Sequence, residues 1–181
     1  MDKQALRKRV REELKRLNNE QKAIEASWIH REVMTLDALK EAQTVALFAS
    51  LPDEPSTEQL LKEISRRCKV VIPRIIGEQM EFLPYIPEKT SCGAYNIMEP
   101  TDGEAVNPAE IDVAIVPGVA FTSDGIRMGR GKGFYDRYMA ENSFRAVKIG
   151  ICFSCQVVEY IPYEKHDIRM DMVIYKKISP K

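Results

Sequence analysis

Three alternate glycines set between basic residues form the segment of this chain that is best suited to chemistry. Residues 127 to 137 read Arg-Met-Gly-Arg-Gly-Lys-Gly-Phe-Tyr-Asp-Arg. Glycine lets a backbone turn its N–H groups outward and lets a ligand approach closely, and successive free N–H groups form a concavity that holds anions. Arg127, Arg130 and Lys132 add positive charge. The segment therefore predicts a polyphosphate site, with Mg-ATP as the leading hypothesis.

A short helix is predicted directly after residues 129–133, which we define as the glycine loop. The pattern from Phe134 to Ala140 is helical, and a helix N-terminus also favours negative charge. Asp136 falls in the first turn of this helix. A carboxylate there is suited to holding Mg²⁺ against the phosphates, so we predict Asp136 as a metal ligand.

The glycine loop matches neither of the two common nucleotide-binding fingerprints. A P-loop requires glycine, four residues, then Gly-Lys-Ser/Thr, but Ile126 takes the first position and Gly133 follows Lys132. The dinucleotide fingerprint requires a third glycine where Phe134 stands. The alternative interpretation is a solvated surface loop. Such loops seldom combine three alternate glycines, three cations and an aromatic pair.

Length and charge exclude several classes of protein. A chain of 181 residues predicts one domain spanning positions 1–181. Lysine plus arginine equals aspartate plus glutamate at 27 each, which argues against a dedicated nucleic-acid binder. No signal-peptide core or membrane-length apolar run is visible, so we expect no membrane partner and a cytoplasmic location. No large apolar stripe requires a partner chain, so we expect a monomer.

The Cys152-x-x-Cys155 pair does not favour redox or zinc chemistry. A redox pair places its first thiol at a helix N-terminus, but Cys152 ends a strand-like run. A zinc site usually needs two close pairs, and Cys68 and Cys92 are not close in sequence. We therefore predict reduced, partly buried thiols.

Alternating helix and strand patterns predict an α/β fold with an open, mostly parallel or mixed sheet and helices on both faces, a Rossmann-like three-layer sandwich. Ligands in such folds lie beyond the carboxyl ends of strands, and the glycine loop follows the strand 112–116. Ser56 and Gln59 predict a capping box, and the polar stretch 99–110 predicts a loop. The predicted helices cover 3–17, a segment after the N-cap Asn18 through Val33, and a segment through Ile64; the predicted strands are 44–48, 69–72, 80–85 (at an edge or in a hairpin), 112–116, 147–152 and 172–175.

The order of short motifs along the chain resembles the 5-formyltetrahydrofolate cyclo-ligases, also called 5,10-methenyltetrahydrofolate synthetases, nearly from end to end. The glycine motif is the most specific element. Two departures are Phe134, where tyrosine is common, and Tyr95, where tryptophan is common. The weaker motifs, which support the resemblance by their order, are Lys3-x-x-Leu6-Arg7, Phe48 through Asp53-Glu54, Ile72-Pro73-Arg74, Tyr95-Asn96-Ile97, Val116-Pro117-Gly118 with Phe121, and Asp171 before Met172-Val173-Ile174.

The resemblance implies an ATP-dependent ring closure of 5-formyltetrahydrofolate to 5,10-methenyltetrahydrofolate, with release of ADP and phosphate. A formamide oxygen is a poor leaving group, so the γ-phosphoryl group is first transferred to it. The neighbouring N10 then attacks and phosphate departs. Phosphoryl transfer requires mainly positioning and charge stabilisation from a protein. ATP and Mg²⁺ are the implied cofactors.

The resemblance also implies roles for individual residues. The expected catalytic residues are Lys132, Arg130 and Tyr135, and the expected metal ligands are Asp136 and Asp171. The expected ATP contacts are Lys3, Arg7, Arg127, Met128, Gly129, Arg130, Gly131, Lys132, Gly133, Phe134 and Tyr135. The expected substrate contacts are Ala49, Glu54, Tyr95, Arg130, Gly131, Lys132, Gly133 and Phe134.

Several of these roles have open alternatives. Lys3 and Arg7 reach ATP only if the first helix folds over the site. Glu54 either accepts hydrogen bonds from the pterin N–H groups or caps the following helix. Tyr135 either orients substrate or packs, and Asp171 either binds metal through water or pairs with Arg169. Two other functions also remain: an ATP-dependent kinase or ligase acting on another small molecule, and a non-catalytic folate- or nucleotide-binding protein.

Overall fold

The computed structural model describes residues 1–93 and 97–177, and its centre is a six-stranded sheet. Its strands are β1 Thr44–Ala46, β2 Lys69–Ile76, β3 Gln79–Pro84, β6 Val113–Val116, β9 Val147–Ile151 and β10 Met172–Ile174. Two separate antiparallel pairs join β4 Thr90–Cys92 to β5 Met98–Pro100 and β7 Ala120–Phe121 to β8 Arg127–Met128. The strand order of the main sheet is β10-β9-β6-β1-β2-β3, and within it β2 and β3 alone pair antiparallel.

Helices cover both faces of this sheet, which confirms the predicted fold class. The helices are α1 Lys3–Arg16, α2 Asn19–Thr35, α3 Asp37–Glu41, α4 Glu58–Ile64 and α5 Phe134–Met139. One cluster of buried side chains joins the sheet to α2 and α4, and a second joins the opposite face to α5. Successive residues of β1 enter different clusters, Val45 the first and Ala46 the second, because neighbouring side chains of a strand point to opposite faces. Within the described residues, no helix has the length and apolar character needed to cross a membrane.

Helix α1 packs on the β7–β8 hairpin, which leads into the glycine loop. Its buried side chains Leu6, Val10 and Leu14 share a cluster with Ala120 and Met128. These three leucine and valine positions recur at helical spacing, so the predicted amphipathic helix is confirmed. The packing fixes α1 next to the loop that carries the basic residues.

One predicted helix cap is confirmed and one is wrong. Asn18 forms a capping box with Gln21 at the start of α2. Ser56 does not cap α4, whose N-cap residue is Thr57 without a side-chain capping bond. The Thr57 hydroxyl instead donates to the carbonyl oxygen of Phe48 at 2.6 Å and accepts from the N–H of Ser50 at 3.1 Å. Thr57 thereby fixes the chain that leaves β1 toward the site.

The strand β2 and the stretch 99–110 also differ from the predictions. The sequence predicts a strand at 69–72, but β2 continues to Ile76 because its second half pairs with β3 alone. Pro73 is tolerated there because β2 has passed the end of β1. The predicted loop 99–110 begins inside β5 and ends in a single turn of 3₁₀ helix, Pro108–Glu110.

Candidate active site

A cavity of about 400 Å³ lies at the carboxyl ends of β1, β2 and β6, beneath the glycine loop. This is the edge at which the fold class predicts a ligand. The residues that line it are Phe48, Ala49, Leu51, Glu54, Pro73, Ile75, Met80, Ile97, Glu99, Pro117, Gly118, Arg127, Gly129, Arg130, Lys132, Gly133, Phe134, Tyr135 and Asp136. The glycine loop is thus open to a cavity rather than covered by neighbouring chain.

The glycine loop reaches the cavity through the β7–β8 hairpin and not directly from the strand 112–116. Gly131 and Gly133 adopt φ values of +105° and +69°, a region that side chains rarely enter. Gly133 is the N-cap residue of α5, and no side chain caps that helix. Because α5 has only six residues, the loop geometry and its cations matter more here than a helix dipole.

Arg127 is buried at the base of the loop, where it braces the site. Its Nη2 donates to Asp136 Oδ2 at 2.7 Å, and its Nη1 donates to the carbonyl oxygen of Pro117 at 3.2 Å. Its Cζ lies 5.6 Å from the ring centroid of Tyr135. The guanidinium is therefore engaged by the protein, and its contact with ATP stays a prediction.

Asp136 connects this brace to the chain near α1. Its Oδ1 accepts from the N–H of Ile168 at 3.1 Å, so both carboxylate oxygens have a protein donor. One residue earlier, Asp167 accepts from Lys3 Nζ at 2.8 Å, and Glu164 lies 2.8 Å from the same amine. Lys3 is therefore held close to the site through its acidic neighbours.

Helix α1 packs against the glycine loop, as a contact of Lys3 or Arg7 with ATP would require. Arg7 Nε donates to the carbonyl oxygen of Gly129 at 2.9 Å. The Arg7 guanidinium also lies 3.6 Å from the point where a Cβ on Gly131 would stand. Arg7 is thus adjacent to the glycine loop, whereas the amine of Lys3 is paired with Asp167 and Glu164 and its contact with ATP stays a prediction.

Arg130 is clamped across the mouth of the cavity by two acids. Its Nη2 donates to Asp53 Oδ1 at 2.6 Å and to Glu54 Oε1 at 2.9 Å, and its Nη1 donates to Asp53 Oδ2 at 3.1 Å. Partial burial opposes ionisation of Asp53, but the hydrogen bond and charge of Arg130 outweigh it, so the pKa of Asp53 lies below its ordinary value. Burial acts to lower the pKa of Arg130, but the hydrogen bonds and charges of Asp53 and Glu54 outweigh it and raise this pKa above its ordinary value.

Lys132 differs from the other two cations of the segment because its amine has no partner among the described residues. Its side chain is exposed and lines the cavity, and no residue in the described ranges hydrogen-bonds or ion-pairs with its Nζ. Its backbone is nevertheless fixed, since its carbonyl oxygen accepts from Arg137 Nη1 at 2.8 Å. The backbone of Lys132 is therefore fixed, while its charged amine is available to a ligand in the cavity.

Tyr135 and Glu54 complete the wall around these cations. The ring of Tyr135 packs edge-on against Phe82 at 6.3 Å, and burial, with a smaller contribution from Glu54, raises the pKa of Tyr135. Its hydroxyl thus stays protonated and suits hydrogen bonding rather than base chemistry. Glu54 does not cap α4; its Oε2 accepts from the N–H of Leu51 at 2.9 Å and closes a turn.

The two predicted metal ligands are not brought together. Asp136 lines the cavity, but Asp171 accepts from the N–H of Lys148 at 2.7 Å and ion-pairs with its amine at 2.8 Å. The alternative pairing of Asp171 with Arg169 is wrong, since Arg169 pairs with Asp124. No group of three or more potential metal ligands occurs within residues 1–93 and 97–177. Mg²⁺ is commonly held by one or two carboxylates together with substrate phosphates. Asp136 is the predicted ligand that lines the cavity, and each of its oxygens also accepts from a protein donor.

Tyr95 lies outside the described residues, so its predicted contact with substrate stays a prediction. Glu99 and Asp53 were missed: Glu99 is buried in the cavity wall, and Asp53 holds Arg130. An acidic residue between apolar Met98 and Pro100 was the available signal for Glu99.

The C-x-x-C thiols have no feature of a reactive pair. All four cysteines are outside disulfides. Burial raises the pKa of Cys155 to about 11 and places the pKa of Cys152 well above its ordinary value. We therefore expect iodoacetamide at pH 8 to modify Cys155 at least about tenfold more slowly than free cysteine, because the thiolate is the nucleophile. Peptide mass spectrometry measures this rate, and rapid labelling or a Cys152–Cys155 disulfide would show that the thiols are reactive.

Comparison with known proteins gives consistent matches along nearly the whole chain. The model of the 5-formyltetrahydrofolate cyclo-ligase family matches residues 1–176. The 5-formyltetrahydrofolate cyclo-ligase of Escherichia coli K12 is 31% identical over 91% of this chain and 95% of its own, and that of mouse is 28% identical over 96% and 93%. The solved 5,10-methenyltetrahydrofolate synthetase of Aquifex aeolicus superposes with a TM-score of 0.85 at 32% identity, covering 96% of this chain and 89% of its own. That of Mycoplasma pneumoniae superposes with a TM-score of 0.81 at 25% identity, covering 98% and 100%.

Proposed function

The chain belongs to the 5-formyltetrahydrofolate cyclo-ligase family, and from that premise we propose that the cavity beneath the glycine loop is its active site. The enzyme converts 5-formyltetrahydrofolate to 5,10-methenyltetrahydrofolate, using ATP and releasing ADP and phosphate. The observation that supports this location is that Lys132 lines a cavity large enough for a pterin and that its amine has no partner among the described residues.

The reaction requires a positive charge that contacts both the nucleotide and the folate. The γ-phosphoryl group moves to the formyl oxygen, N10 attacks the activated carbon and loses its proton to solvent, and phosphate leaves with that oxygen. Negative charge therefore passes from the nucleotide to the formyl oxygen. We assign Lys132 to this path because its amine has no partner within residues 1–93 and 97–177, while its backbone is held by Arg137. Stabilisation of this kind, arranged before the reaction, is usually the largest catalytic contribution.

Arg130 is proposed as the second catalytic cation and as a folate contact. Its clamp to Asp53 and Glu54 joins the loop after β1 to the glycine loop, so the two walls of the cavity are held at a fixed separation. The backbone N–H groups of Gly129, Gly131 and Gly133 are proposed to hold the phosphates, with Arg7 close behind Gly129. Tyr135 is proposed to orient the substrate through its protonated hydroxyl.

The folate is proposed to occupy the less polar part of the cavity. Ile75, Met80 and Phe134 form that part, and Ala49 and Glu54 border it. A flat heterocycle packs favourably against aromatic and aliphatic side chains, and a small number of polar groups fix its orientation. Tyr95 stays a predicted contact with the same ring system.

Mg²⁺ is proposed to be held by Asp136, where it would neutralise polyphosphate charge. Asp171 as a second, water-mediated ligand stays a prediction. We expect Asp136→Asn to raise the Mg²⁺ concentration needed for half-maximal activity by about tenfold or more, and more than Asp171→Asn does. Titrating activity with Mg²⁺ in both variants measures this. An unchanged Mg²⁺ requirement in Asp136→Asn would place the metal elsewhere.

An absorbance assay tests the proposed location together with the activity. The methenyl product absorbs at longer wavelength than 5-formyltetrahydrofolate, so this band must grow when ATP and Mg²⁺ are added to the wild type. It must not grow at a comparable rate in the Lys132→Ala variant. ADP release that requires another acceptor would indicate a different kinase or ligase. Tight folate binding without ADP release would indicate a binding protein.

The organisation of the chain completes the proposal. We propose one domain over residues 1–181, acting as a monomer in the cytoplasm without nucleic-acid or membrane partners. Exposed large apolar side chains such as Ile24, Ile76 and Tyr160 are scattered in sequence, which is ordinary for a monomer surface. Gel filtration with light scattering measures the mass, and a dimer would contradict this part of the proposal.

A further inference from the structure

Arg130 covers the acid that borders the less polar part of the cavity. Glu54 lines the cavity, but its side chain is only 7% exposed. Its Oε2 accepts from the N–H of Leu51 at 2.9 Å, and its Oε1 accepts from Nη2 of Arg130 at 2.9 Å. The first donor belongs to the turn in which Glu54 itself lies, so the donor that a ligand can replace is the guanidinium of Arg130.

Arg130 is the movable partner of this pair. Its side chain is 37% exposed, and it lies between Gly129 and Gly131 in the glycine loop. Asp53 accepts from both Nη atoms, at 2.6 and 3.1 Å. The guanidinium can therefore leave Glu54 and still be held by Asp53, so the loop after β1 and the glycine loop stay joined.

The guanidinium presents to Glu54 the same kind of donor that a pterin offers. The pyrimidine edge of a pterin is a guanidine-like unit, in which the 2-amino group and N3–H are adjacent donors. Planar, paired N–H groups of this kind match the oxygens of a carboxylate. Because so little of the Glu54 side chain is open to the cavity, Oε1 has room for one of the two donors and not for both.

We propose that Arg130 occupies, in the ligand-free enzyme, the place at Glu54 that the pyrimidine edge of the folate takes, and that folate binding moves Arg130 off this acid. The exchange rests on the proposed function. It frees an N–H of Nη2 while Asp53 keeps the guanidinium beside the glycine loop, so the donor is available to the transferred phosphoryl group once folate is bound. A ligand without comparable donors does not displace Arg130, which makes Arg130 a specificity-determining residue.

Equilibrium binding of two small probes at pH 8 without ATP tests the exchange. Pterin carries the donor edge without a formyl or glutamate group, and in lumazine an oxygen replaces the 2-amino group. We expect Arg130→Met to bind pterin at least about tenfold more tightly than the wild type does, because the internal competitor is gone. Lumazine affinity should change by less than about threefold, since its edge lacks the amino donor. Arg66→Met, at an exposed position just after α4, should keep wild-type pterin affinity.

A contact of Arg130 with the pterin itself gives the opposite sign. Lower or unchanged pterin affinity in Arg130→Met would therefore overturn the exchange. Thermal unfolding shows whether the variant is folded. If it is not, Arg130→Lys takes its place, because lysine keeps the charge but lacks the planar pair of donors, and its pterin affinity should also exceed that of the wild type.

The gain must also depend on the carboxylate. Glu54→Gln puts an N–H group where an acceptor stood, so adding Arg130→Met to it should raise pterin affinity by less than about threefold. Equal gains with and without the carboxylate would mean that Arg130 only narrows the cavity, and the exchange would fail. The methenyl band of the wild type checks the proposed function separately: if it grows and the pterin gain is absent, the exchange alone is wrong.

Discussion

Lys132→Ala is expected to lower kcat by about 10³-fold or more while leaving the fold intact. The large effect follows because the amine is the cation proposed to follow the charge from the γ-phosphoryl group to the formyl oxygen. The fold should survive because Lys132 is exposed and its amine contacts no described residue. Growth of the methenyl band measures kcat, and thermal unfolding measures the fold.

A matched control separates this effect from a general loss of positive charge. Lys62 is exposed on α4 and lies outside the cavity lining, so Lys62→Ala should keep wild-type kcat. If Lys132→Ala retains near-normal kcat under saturating ATP and folate, Lys132 is not the bridging cation.

Arg127→Leu is expected to destabilise the protein by about 3–5 kcal/mol and to abolish activity. The Arg127–Asp136 pair is buried, with side-chain exposures of 3% and 15%. Removing the guanidinium leaves Asp136 as an uncompensated charge and removes the brace between Pro117 and α5. Urea unfolding measures the free energy of unfolding, and the absorbance assay measures activity.

The contrast with an exposed pair makes this prediction specific. Arg169 and Asp124 also pair, but their side chains are 54% and 59% exposed. Exposed pairs contribute little, so Arg169→Leu should leave the free energy of unfolding close to that of wild type. Equal and small effects in the two variants would mean that Arg127 does not stabilise the site.

The architecture could be predicted from sequence because its main elements carry strong local patterns. Strand β6 is a short, fully buried apolar run, β9 is buried over its last three residues, and α1 shows apolar residues at helical spacing. The wrong predictions fall where contacts between distant parts of the chain determine the local structure. Ser56 has the right neighbours for a cap, but Thr57 takes the position because its hydroxyl is bound to the chain after β1. The second half of β2 exists because β3 pairs with it.

The sequence predicts a polyphosphate site at the glycine loop, and the fold shows that this loop borders a cavity. The spacing of Arg127, Arg130 and Lys132 does not distinguish their surroundings. The fold buries Arg127 against Asp136, holds Arg130 between two acids and, in the part of the chain that the structure describes, leaves the amine of Lys132 without a partner. That distinction depends on residues distant in the chain, such as Asp53, so spacing within the motif does not contain it. Glu99 was missed for the same reason, since its place in the cavity wall depends on the pairing of β5 with β4.

The most direct test of the account is a crystal structure of the enzyme with ADP and 5-formyltetrahydrofolate bound together. We expect the phosphates against residues 129–133, the pterin in the cavity between Phe134 and β2, and the Lys132 amine within about 3.2 Å of the formyl oxygen and facing the terminal phosphate. Ligands that bind away from the cavity, or a Lys132 amine directed to solvent with both ligands present, would contradict it.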